Sequence, residues 1–182
     1  MFVAEKLRAK NIAEYLLYMW QVEDLIRAFS LDIDKLEMGY LSRFDSLDAK
    51  QQKDLRQWYA DIIEMMRSEG VAEKGHLQIC RNVLINLSDL HDRLMVSQKY
   101  PYYHAAYHKA LPLIVELRAK QDKGKEHTEL ESCFECLYGV MLLKMQGREL
   151  SNDTAKAVET ISTFLGSLSD YYIKDRMEPL EF

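Results

Sequence analysis

The sequence predicts an all-α protein, a single helical bundle of six to seven helices, on three observations. Only 7 Gly and 3 Pro occur among 182 residues, too few for the turns that a sheet protein needs. Apolar residues recur every three or four positions and rarely alternate with polar ones, which is the period of a buried helix face rather than of a strand. Hydrophobic residues make up 48% and charged residues 29%, so the chain can bury a core.

The first helix is expected over residues 4–29. Ile12, Leu16, Met19 and Ile26 form one apolar stripe, and Tyr15, Tyr18, Val22, Leu25 and Phe29 form a second beside it, so most of the circumference is apolar. Asp32 or Asp34 can cap a short second helix reaching Arg43, and Asp48 with Gln51 has the form of a capping box opening a third. Leu55, Tyr59, Ile62 and Met66 give that third helix its buried face, and Gly70 to Gly75 stops it.

A fourth helix, residues 73–98, carries Leu77, Cys80, Leu84, Leu87, His91 and Leu94 in steps of three and four, a coiled-coil-like seam. Pro101 suits the first turn of a fifth, which ends in the polar run Gln121 to Lys125. Thr128 with Glu131 is a second capping box and opens a sixth helix with Leu130, Phe134, Leu137, Met141 and Met145 inside. The seventh starts at Ser151, Asn152 or Asp153 and buries Val158, Ile161, Leu165, Leu168 and Tyr172. No connection has the length or composition of a linker. One domain over 1–182 is expected, with residues 1–3 and 177–182 frayed.

Charge and cysteine usage narrow the partners. A net charge of -5 has the wrong sign for gripping phosphate backbones, so nucleic acid is not expected. The longest run free of Asp, Glu, Lys and Arg is the ten residues Thr160 to Ser169, half of what a bilayer span requires. No membrane association is expected. Glu5 and Lys6 interrupt the start where a signal peptide would be apolar, which points to a cytoplasmic protein. Cys80, Cys133 and Cys136 are odd in number, and reduced core thiols are the expected reading.

Chemistry concentrates between Tyr100 and His108. His104 and His108 stand four apart, so on a helix both imidazoles project on one side and could share a divalent metal. Tyr103, Ala106, Ala110, Leu113 and Leu117 mark the core face, with the histidine pair at its edge. Pro112 removes the N–H that would bond the carbonyl of His108, and a kink is expected there. His91, in the seam of the preceding helix, could join this site, with Tyr103 and Tyr107 lining a ligand pocket. The competing reading is structural: edge histidines bond a neighbour, and tyrosines pack with their hydroxyls at the surface.

Other constellations are thinner. Glu73 and His76 make a single Glu-x-x-His, which di-iron bundles need twice. His76 with Cys80, and Cys133 with Cys136, assemble a zinc set only on paper, because the second pair sits within a helical pattern. Phosphate-binding Gly-rich loops, Gly-x-Ser-x-Gly and His-Glu-x-x-His do not occur. Asp61, Glu64, Glu129 and Glu159 fall on expected solvent faces. Glu14 and Glu23 lie on the most apolar helix, where Arg27 is placed to pair with Glu23.

The opening Met1 to Arg8, followed by Asn11 to Asp24, resembles an uncharacterised bacterial family of about 180 residues, a domain of unknown function. The resemblance implies a bacterial, cytoplasmic, helical protein and brings no catalytic residues. With 11 Tyr, 6 Phe, 2 Trp and 9 Met, types enriched at interfaces, the expected role is non-catalytic: a protein-interaction or self-assembly module, with a homodimer as its expected form. The alternative is a metal- or small-molecule-binding bundle centred on His104 and His108.

Overall fold

The computed structural model describes residues 2–120 and 127–182. Among these it contains eight α-helices and one short 3-10 helix, Leu41–Arg43, and no strand. The helices are α1 (Phe2–Lys10), α2 (Ile12–Ala28), α3 (Ile33–Gly39), α4 (Ala49–Ser68), α5 (Gln78–Val96), α6 (Pro101–Ala119), α7 (Glu129–Met145) and α8 (Asn152–Met177). The eighth arises because the expected first helix is broken at Asn11. Met1 and the polar run 121–125 lie outside the described residues.

The chain divides into two compact units: Met1–Ala9 with Glu14–Val83, and Lys10–Ala13 with Leu84–Phe182. In the first, α2 supplies Tyr15, Leu16, Met19, Trp20, Val22 and Ile26, all 5% exposed or less, which is the nearly all-round burial that its two stripes imply. From α4 come Tyr59, Ile62, Ile63 and Met66. The Tyr18 and Tyr59 hydroxyls bond each other, and burial raises both phenols above their ordinary pKa. Helix α3 is capped by Asp32 and tied to α4 by Arg56, which reaches Asp34 at 2.6 Å and Glu37 at 2.7 Å.

In the second unit α6, α7 and α8 pack on one another. Leu87 and Leu94 of α5 are buried, as the seam requires, and Leu90 is buried beside them. The Ser169 hydroxyl on α8 receives the Ala13 amide at 3.5 Å and donates to the Asn11 side chain at 2.9 Å. An amide at a helix start has no partner within its own helix, and Ser169 provides one. That contact fixes the break between α1 and α2.

Two expected faces and one expected end are adjusted. Ile114 is buried on α6, whereas Leu113 and Leu117 are only half-buried, and α6 runs on through Pro112. Met145 of α7 is 72% exposed. Residues beyond Met177, expected to fray, are bonded: the Leu180 amide donates to Asp175 at 2.8 Å, and the Tyr100 hydroxyl donates to the Glu181 carbonyl at 2.7 Å.

Candidate functional site

Within the second unit, α5 and α6 bring His91, Tyr103 and Tyr107 together. The Tyr103 hydroxyl lies 2.6 Å from Nδ1 of His91, and the His91 ring is 4.9 Å from the Tyr107 ring and 5.8 Å from that of Phe164 on α8. Burial lowers the His91 pKa and raises that of the fully buried Tyr103. Both are therefore neutral near pH 7, and the phenol O–H donates to the imidazole nitrogen. Tyr107 donates to Glu129 at 2.9 Å; burial first, then that bond, push its pKa to about 12. Glu129, assigned to solvent from the sequence, thus holds a tyrosine.

The two histidines at the spacing of four diverge in role. His104 donates through Nε2 to the Leu94 carbonyl at 2.8 Å, which leaves only Nδ1 with a lone pair. His108 is exposed, its ring 5.5 Å from that of Tyr107. No group of three His, Cys, Asp or Glu side chains among the described residues is disposed to hold a metal ion. Cys133 is buried and Cys136 half-buried, both unbridged; burial raises both thiol pKa values, Cys133 to about 12.

A second polar cluster, in the first unit, gathers residues that the sequence reading placed in separate constellations. Glu23 on α2 is 0% exposed. Its Oε1 accepts the Leu77 amide at 2.9 Å and the Cys80 thiol at 3.5 Å, and Oε2 lies 2.6 Å from Nδ1 of His76. The His76 ring stacks on Trp20 at 4.2 Å. Arg27 does not pair with Glu23. It bonds Asp24 at 2.8 Å and the carbonyls of Val71, at 3.0 Å, and Gly75. The two side chains, one turn apart, hold the 71–77 loop at four points: Arg27 at Val71 and Gly75, Glu23 at His76 and Leu77. Burial, and then the Glu23 charge, raise the Cys80 thiol pKa, so it is a protonated donor and not a nucleophile.

The family model for a domain of unknown function, DUF4924, matches residues 1–179. The chain belongs to the DUF4924 family. No match was found among curated proteins, nor among solved structures. In this DUF4924 chain the imidazoles and phenols of both clusters are bonded to neighbouring protein groups, which fixes their orientation. The signal that could have located the Glu23 cluster is the carboxylate itself: a charged residue amid the apolar stripes of α2 needs buried donors, and His76 with Cys80 four residues on offers an imidazole and a thiol.

Proposed function

We propose that this protein is a non-catalytic helical module that works by contact with other protein chains, its own copies included. The observation that carries the reading is the corner where α5 gives way to α6. Val96 and Tyr102, on either side of the turn, are each 87% exposed. Val96 also borders a cleft of about 390 Å³ that it shares with Asp92, Arg93, Ser97 and Phe182. Apolar surface of this kind gains free energy when a partner removes it from water.

Light scattering across the micromolar range tests self-association. The expected result is a mass above one chain that falls to one chain in Val96→Asp, with helicity unchanged. A one-chain mass at every concentration removes self-assembly from the proposal.

A further inference from the structure

Residues 178–182 leave α8 and fold back over the corner just described. Glu178 is extended, with φ −149° and ψ 118°, and Pro179 cannot continue the helix. Beyond that turn the corner grips the segment at three points. The Lys99 ammonium lies 3.3 Å from the Glu181 carboxylate. The Tyr100 hydroxyl donates to the Glu181 main-chain carbonyl at 2.7 Å. The Arg93 guanidinium stands 4.6 Å from the centre of the Phe182 ring.

The gripping groups are themselves positioned. Arg93 is bonded to Asp175 at 3.2 Å, and the Tyr100 ring meets that of Tyr171 edge-on at 5.2 Å. A cation for a carboxylate, a phenol for a peptide carbonyl and a cationic face for an aromatic ring together read an acidic residue followed by an aromatic one, in extended backbone.

We propose that this corner is a docking groove for an extended acidic–aromatic segment of a partner protein, and that residues 178–182 occupy it in cis as a strap. The inference rests on the interaction reading above and names the partner's chemistry. Three features favour an exchangeable occupant. The strap's ionic contact is exposed, with Lys99 at 55% and Glu181 at 90%, so it holds weakly. Lys99 at the rim of the corner pairs with the strap's own Glu181 carboxylate, so an acidic residue of a partner meets the same cation once the strap is displaced. Val96, 87% exposed, borders an apolar cleft that Phe182 also lines, so apolar surface remains beside the strap for a partner's segment to cover.

The test uses the full chain and a fluorescent, end-blocked peptide, Glu-Pro-Leu-Glu-Phe-Leu, read by anisotropy. A tethered strap competes at an effective concentration on the order of millimolar, so loosening it by Phe182→Ala should tighten peptide binding about tenfold or more. Adding Lys99→Glu to that variant should abolish the gain and shift preference to a peptide with Lys in place of its second Glu. Circular dichroism checks the fold; if Phe182→Ala has lost helix, Glu181→Ala takes its place.

Equal binding by wild type and loosened variant, or a gain indifferent to Lys99→Glu, overturns the proposal. Uptake of a labelled full-length copy with no uptake of peptide also overturns it, in favour of a second copy of this chain. The peptide-binding outcomes do not depend on the mass read by light scattering, so the two readings fail separately.

Discussion

Burying a carboxylate costs several kcal/mol unless donors surround it, and Glu23 collects a backbone amide, an imidazole and a thiol at 0% exposure. Glu23→Ala leaves the Leu77 amide and His76 without that acceptor and should destabilise the protein by about 2–4 kcal/mol in urea unfolding, with Glu23→Gln costing less because one oxygen remains. His91 carries a pH signature. Because burial lowers its folded-state pKa, the native chain binds that proton less readily than the unfolded chain. The stability this contributes is present above the unfolded value, about 6.5, and is lost as pH falls through the folded one. Thermal melts from neutral pH to about pH 5 should therefore show His91→Gln with a flatter profile than wild type; Gln still offers Tyr103 an acceptor. Equal slopes would contradict the assignment.

At the scale of elements, the local signals are in place. Asp48 with Gln51 and Thr128 with Glu131 form complete capping boxes, and Ser151 caps α8. Asp48→Ala should cost about 1 kcal/mol in chemical denaturation. The end of α2 runs against preference: Ser30 and Leu31 both have positive φ, 56° and 57°, while their amides bond Arg27 and Ile26 carbonyls in a Schellman pattern. Ser30→Gly removes the Cβ clash at a modest entropic cost and should raise stability by about 0.5–1 kcal/mol, measured the same way. The start of α5 follows other rules. It opens at Gln78 rather than at residue 73 because Glu23 takes the Leu77 amide and Glu69 takes the Gln78 amide at 2.6 Å. Capping by residues 54 and 9 positions away leaves no signature in the neighbouring sequence.

For the whole molecule, α5 is the informative helix, since its first turns belong to one compact unit and the rest to the other. Interrupting a continuous helix forfeits backbone hydrogen bonds on both sides of the cut, so unfolding should be shared along the chain. Trp20 and Trp58 both lie in the first unit, and their fluorescence should lose its native signal at the same urea concentration as far-UV circular dichroism. Separate midpoints would show that the units melt independently.

The sequence by itself determined the all-α class, the caps and most of the buried stripes of α2, α4, α5 and α8, because helical periodicity and capping are set by residues three or four apart. It marked the stretch that holds Tyr103, His104 and Tyr107, but not what those side chains touch. Only the tertiary structure decided that Tyr103 bonds His91, that His104 turns to the Leu94 carbonyl, that Ser169 marks the break at Asn11 and that Glu23 sets the start of α5. Each is a polar group satisfied by a partner distant in the chain or on another helix. A buried donor must find an acceptor, but which one it finds depends on how the helices meet.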